Sequence, residues 1–341
     1  MRGALAVCCS LVGASALAGC DLAFGLEPQS YDFVFDNAAS QTDLVDVPVL
    51  VTLDRSTFPY GAVDDPATDL RFADPSTGTE LAYEVSRWAP DGSSDVWVRV
   101  PRIAQGSTTD RIVLTAGANI GTGGAIPSEV WRDHELVLHL EQNDQIPDAS
   151  GHYVGVPAPV TLAEGAVGTG FELADGVEVE IPDSHALFGG WQRFTFELWI
   201  HPDYATISST TPAPTLVSRA GPIAHCGLQV SATNRLELAL FLSIGGTTKS
   251  LVTEIPTRAW SYVVFVADGQ RLSVYRNGAL VDSMANTGAL AATDVSSDYV
   301  GIGRDPFEGI VDEVRISASD RSPDWIRAQY RSMTRTFIRA E

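Results

Sequence analysis

Histidines, carboxylates and loop-borne aromatic rings are the side chains of this sequence whose types and spacing could do chemistry. The segment His134-Glu135-Leu136-Val137-Leu138-His139 has the composition of a zinc site but not its spacing. A helical zinc pair sits at i and i+4, whereas an i, i+5 pair on a strand points to opposite faces, so both histidines are expected to be structural. His225-Cys226 lacks a second ligand pair at a metal-binding interval. Glycoside hydrolysis needs two carboxyl groups facing one bond, as nucleophile and acid. No Glu-x-Asp-x-x-Glu triplet lines them up on a strand, and Glu178 and Glu180, which share a face, fall in an expected exposed edge region. A Gly-x-Ser-x-Gly nucleophile elbow is also missing. These residue types point away from an enzyme and leave binding. Trp191, Tyr204 and Phe307 lie in loop-like stretches, where an exposed ring can stack on the apolar face of a sugar, although closing the end of a sandwich is the commoner use of such rings.

Composition narrows the partners. The chain has 341 residues, room for about two domains, and a formal net charge of −21. Such an acidic balance disfavours nucleic acid and anionic membrane surfaces, and is compatible with neutral sugars, divalent cations or simple solubility. The N-terminus explains three of the four cysteines. Met1-Arg2, an apolar run from Ala4 to Ala18 and the closing Leu17-Ala18-Gly19-Cys20 have the layout of a secretory signal and resemble a bacterial lipobox. The resemblance implies cleavage before Cys20 and acylation of that residue, giving a signal over residues 1–19, a tether over 20–30 and an exported protein lipid-anchored in the bacterial cell envelope, facing the periplasm or the surface. Ordinary cleavage after Ala16-Leu17-Ala18 stays open. Cys8 and Cys9 lie in the signal, so Cys226 has no partner for an intramolecular disulfide and is expected to be a small buried apolar residue.

The elements that must position any site are strands. Tyr31–Phe35, Val47–Leu53, Asp69–Phe72, Leu81–Val85, Val96–Val100 and Arg111–Leu114 are short β-branched or aromatic runs between turn-forming stretches. In the fifth, Val96, Val98 and Val100 share one face and Trp97 and Arg99 the other, the pattern of a half-buried strand. A glycine-rich stretch over residues 120–129 is expected to be an interdomain linker. Beyond it the β pattern resumes, with Asn277-Gly278 as a hairpin turn. Ser322-Pro323-Asp324 opens a single helix whose Trp325, Ile326, Gln329, Tyr330 and Met333 stripe is expected to pack on a sandwich. Residues 332–341 are expected to be a frayed or extended tail.

Two resemblances rest on these runs. Asp69-Leu70-Arg71-Phe72, Leu81-Ala82-Tyr83-Glu84-Val85, Trp88 and Val96-Trp97-Val98-Arg99-Val100-Pro101 resemble a bacterial domain of unknown function, also found on some proteins related to MotA/TolQ/ExbB proton channels, over residues 31–119. Asp148-Ala149-Ser150-Gly151, Phe194 to Pro202, Trp260, Tyr275-Arg276-Asn277-Gly278 and Gly309-Ile310-Val311-Asp312-Glu313-Val314-Arg315-Ile316 resemble a LamG-like jellyroll of the concanavalin A-like lectin/glucanase superfamily, over residues 130–331. Together they imply an all-β chain of two consecutive antiparallel β-sandwiches with a short C-terminal helix. The second resemblance also implies a structural calcium ion (Ca2+) between Asp148 and Asp312. The alternative has Asp148 making an Asx-turn and Asp312 capping or pairing with Arg315. The functional expectation is a noncatalytic, lipid-anchored envelope protein that recognises glycan or a surface protein. A structural envelope protein is the second reading and an atypical glycosidase the third.

Overall fold

The computed structural model describes residues 28–117, 120, 124–154, 160–173, 177, 179–204, 215–219, 224–230, 235–244, 247–291, 300–303 and 307–341, with 215–219 and 224–230 as backbone. Cys20, the signal, Glu178 and the side chain of Cys226 lie outside the described residues. Among those described, no helix is long and apolar enough to cross a membrane.

The alternating runs become strands because β-branched and aromatic side chains fit a pleated surface. The first half contains β1 Gln29–Phe35, β2 Leu44–Asp54, β3 Leu70–Ala73, β4 Glu80–Leu81, β5 Tyr83–Arg87, β6 Ser93–Ile103 and β7 Arg111–Ala116. A one-turn helix, α1 Pro127–Val130, leads into the second half. There follow β8 Leu136–Leu138, β9 Thr161–Glu164, β10 Thr169–Leu173, β11 Val179–Ile181, β12 Arg193–Pro202, β13 Thr215–Arg219, β14 Ala224–Val230 and β15 Leu236–Ile244. The chain ends with β16 Thr247–Glu254, β17 Ser261–Asp268, β18 Arg271–Arg276, β19 Ala279–Ala285, β20 Val300–Ile302, β21 Gly309–Ser317, α2 Pro323–Met333 and β22 Ile338–Ala340.

The architecture is all-β, built from antiparallel sheets with a short C-terminal helix. One sandwich pairs the sheet β22-β1-β7-β3-β4 with β2-β6-β5; the other pairs β19-β18-β17-β12-β21-β10-β9, with β8 also on β21, and β11-β20-β13-β14-β15-β16. Phe196, Leu198, Phe265, Val314 and Ile316 face the inside of the second sandwich. The alternate residues of the same strands, Trp199, Tyr262 and Val264, belong instead to a core shared with Trp97, Val98 and Phe72 of the first. The large sheet is therefore covered on both faces, and the two sandwiches meet across a shared apolar layer that also encloses buried charged groups.

One sequence expectation changes as a result. Strand β6 is not half-buried: Trp97 is 0% and Arg99 5% exposed, because the second sandwich covers the face that its alternation leaves open. Of the two forms expected for the tail, frayed or extended, residues 338–340 take the extended one, as β22 pairs with β1 in the register Phe33↔Ala340 and Phe35↔Ile338. Helix α2 starts as its sequence dictates, with the Ser322 hydroxyl accepting from Trp325 N–H. Its stripe packs on both halves. Tyr330 stacks on Trp199 at 5.9 Å, while Gln329 Nε2 donates to Pro48 O of β2 at 2.6 Å.

Candidate functional site

Strand alternation places Trp199 and His201 together on the outer face of β12. Trp260 reaches them from the loop before β17. Arg258 holds that loop to the end of β12: its N–H donates to Pro202 O at 2.7 Å and its Nε to Asp203 at 2.8 Å. The Trp260 ring centre then stands 5.4 Å from His201 and 6.4 Å from Trp199, the two indoles nearly perpendicular at 81°. These rings line a surface cavity of about 490 Å³ whose rim carries Glu164 and Thr334. Trp260 and His201 are half-buried, and His201 Nδ1 has no hydrogen-bond partner.

A second cavity, also about 490 Å³, opens on the same floor of Gly165 and Ala166 and shares Glu164 and Thr334. Its far wall is Arg87 and Ser93 of the first sandwich together with Arg335. The floor is held from below: Val167 N–H donates to Asp312 at 2.9 Å, and Thr169 donates to Glu141 from N–H at 3.2 Å and from its hydroxyl at 2.9 Å. Only glycine fits at 165, where a Cβ would lie 2.6 Å from the Thr169 carbonyl oxygen and 2.7 Å from Asp312 Oδ2. Burial pushes the Glu141 carboxyl up to about 7, against the hydrogen bonds from Thr169. Other surface cavities of about 410 and 440 Å³ have no aromatic ring in their walls. Aromatic rings beside hydroxyl, carboxylate and guanidinium groups distinguish the paired groove as the candidate ligand site.

Behind the groove, buried carboxylates are enclosed in a polar network between the sandwiches. Trp131 Nε1 donates to Glu84, and His139 bridges Glu84 at 3.1 Å and Glu313 at 2.9 Å. Arg315 donates to Glu313 at 3.0 Å and to Gln329 at 3.0 Å, its guanidinium 4.4 Å from the Trp97 ring centre and 4.7 Å from that of Trp131. A bulge makes this possible. Between Trp199↔Asp312 and Glu197↔Arg315 the strand β21 holds one extra residue, and Glu313 takes a left-handed φ of 51°. Asp312, Glu313 and Arg315 can thus all leave the jellyroll core to Val311, Val314 and Ile316. Burial opposes a charged His139, but Glu313 and Glu84 outweigh it and push the imidazole up to about 10. Burial and the neighbouring Glu313 hold the Asp312 carboxyl well above its usual range.

The residues expected from sequence fall elsewhere. Asp148 accepts from the N–H groups of Val137 at 2.9 Å, Ser150 at 3.0 Å, His152 at 3.0 Å and Tyr153 at 2.9 Å, and from the Ser150 hydroxyl. Its lone pairs serve its own turn. Among the described residues no group of three or more His, Cys, Asp or Glu could hold a metal ion. Asp148 is engaged as the Asx-turn alternative has it. Asp312 instead supports the groove floor. Phe307 is 1% exposed and offers no open ring, a correction caused by its packing into the jellyroll core. Tyr204 packs on it at 6.4 Å, and Trp191 packs on Phe188 at 5.5 Å. His134 is buried against Trp131, 5.1 Å between ring centres, and His139 ties carboxylates, so neither is paired for zinc. In the sequence Trp260 enters only through the LamG resemblance, and His201 is not singled out. Alternation along β12 does put His201 beside Trp199, but nothing local shows Trp260 folding over both.

No protein among the curated proteins matches the chain. Residues 174–327 match the family described as the Concanavalin A-like lectin/glucanases superfamily. Among solved structures, domain 4 of AbnA, a GH43 extracellular arabinanase from Geobacillus stearothermophilus determined with arabinotriose, is 20% identical, with 57% of this chain and 97% of that chain covered and a TM-score of 0.45. The binding domain of botulinum neurotoxin DC, determined with rat synaptotagmin II, is 13% identical, with 61% and 52% covered and a TM-score of 0.47. The binding domain of Paraclostridial Mosquitocidal Protein 1 is 14% identical, with 59% and 52% covered and a TM-score of 0.47. This chain thus spans about half the length of the toxin domains that it matches. Residues 174–327 are a LamG-like domain of the concanavalin A-like lectin/glucanase superfamily.

Proposed function

We propose that this protein is a noncatalytic recognition protein, lipid-anchored in the bacterial cell envelope, that binds glycan in the groove beside Trp260. The observation that carries the reading is the pair of half-buried rings Trp260 and His201, set against the buried Trp199 in a cavity rimmed by Glu164 and Thr334. A pyranose needs an apolar ring to stack on and polar atoms for its hydroxyls, and this cavity supplies both. A noncatalytic role is supported by the groove lining: among its described residues Glu164 is the one carboxylate, where hydrolysis takes two.

Trp260→Ala tests the site. Loss of a central aromatic contact is worth about 2 kcal/mol, so the variant is expected to bind a polysaccharide about 30-fold more weakly. The measurement is affinity electrophoresis of the full-length protein against a panel of bacterial and plant polysaccharides. Equal retardation of wild type and variant by every retained polysaccharide would remove the groove from the reading. The anchor is tested by labelled palmitate. Label is expected on the wild type and not on Cys20→Ala, and its persistence in the variant would reject the lipobox.

A further inference from the structure

Resting on that glycan reading, we infer that the first sandwich completes the site, and that the ligand is a neutral oligosaccharide of at least two sugar units lying across both sandwiches. The two cavities share one floor and two rim residues, so a chain leaving the Trp260 platform enters the polar cavity between Glu164 and Arg87. All the residues that make this second cavity polar, Arg87, Ser93, Glu164, Thr334 and Arg335, lie outside the family match at 174–327. Arg87 and Ser93 of the first sandwich and Arg335 after α2 thus extend the site beyond the jellyroll, which itself supplies Glu164 from β9.

Charge decides the class of sugar. Arg87 donates to Asp95 from Nε at 2.9 Å and from Nη2 at 2.8 Å, and Arg335 approaches the other Asp95 oxygen at 3.7 Å. Asp95 is fully buried behind them. Arg335 takes a left-handed φ of 58°, and its turn off α2 brings the guanidinium back to this carboxylate. Two guanidinium groups are balanced by Asp95 behind them and by Glu164 in the same lining, which leaves the cavity with donors and acceptors but no net charge. A uronate or sulfated sugar would need an uncompensated cation there, and would approach a chain of net charge −21. Sugar hydroxyls, which both donate and accept, match the mixture.

Calorimetric binding of full-length protein to xylo-, cello- and arabino-oligosaccharides of one to five units, with oligogalacturonate as the acidic probe, tests this. Affinity in one neutral series is expected to rise at least tenfold between one and three units. Arg335→Ala and Arg87→Lys should erase that rise while leaving the monosaccharide affinity unchanged, whereas Trp260→Ala and Glu164→Gln, which alter the first cavity itself, should weaken every length. Lysine at 87 keeps a cation beside Asp95, and unchanged melting of each variant confirms the fold. If Trp260→Ala weakens binding but the rise survives in the Arg87→Lys variant, the contribution of the first sandwich is overturned and the glycan reading stands. Tighter binding of oligogalacturonate overturns the neutral class. Absence of binding to every saccharide overturns both readings.

Discussion

His139→Leu will lower the stability of the folded protein by about 3 to 5 kcal/mol, the usual cost of removing one partner from a buried ion pair. His139 is buried between Glu84 and Glu313, and its removal leaves Glu313 with Arg315 and Glu84 with the Trp131 indole. The pH dependence separates this charge effect from a simple packing loss. The folded-state value of about 10 stands above the ordinary 6.5 of a free imidazole. The folded protein therefore holds this proton more tightly than the unfolded chain. The contribution is fully present below pH 6.5 and is lost as pH rises through about 10. Chemical denaturation at several pH values should show a gap between wild type and variant that is widest below pH 6.5 and closes toward pH 10. A gap constant across that range would mean that His139 acts by packing alone.

A chain ending at Arg321 is expected not to fold, although it retains every strand of the jellyroll. The lost segment carries Trp325, Ile326, Met333 and Phe337, none more than 4% exposed. Burial of four such side chains is worth about 6 to 12 kcal/mol, comparable to the whole stability of a typical domain. The segment also ties β2 and the turn before it, through Gln329 to Pro48 O, Ser332 to Leu50 N–H and Asp324 to Gln41 and Thr42 N–H, and it supplies β22 to the first sandwich. Loss of a cooperative melt, together with loss of amide protection in β1 and β2, would show that the C-terminus fastens both halves. Cooperative melting near the wild-type temperature would show that they are independent.

The consequence for function is that the groove walls are set by this fastening. Thr334 and Arg335 follow directly on α2, and Arg87 is fixed by Asp95 at the edge of β6. A ligand spanning both cavities meets a preformed surface rather than two sandwiches that swing, which limits the ordering cost of binding.

The sequence by itself determined the class of fold. Alternating β-branched and aromatic runs separated by turn residues need no distant information to become strands, and Ser322, Pro323 and the Trp325 stripe specify α2 from local capping and periodicity alone. The exclusion of a zinc helix at His134 and His139 was equally local, a matter of interval. Tertiary structure decided which faces are wet. The Trp97 and Arg99 face of β6 reads as half-exposed in isolation and becomes core because another sandwich lies on it. The bulge at Glu313 cannot be seen in Asp312-Glu313-Val314-Arg315, yet it turns three ionisable side chains into the space between the halves. Trp260 is an ordinary strand-flanking aromatic in sequence. Its proposed role depends on Glu164 and Thr334, which lie far from it along the chain and line one cavity with it only where β9 and the end of α2 converge. Periodicity reports which side of an element is apolar; the docking of a second layer, a long-range event, determines what that side touches.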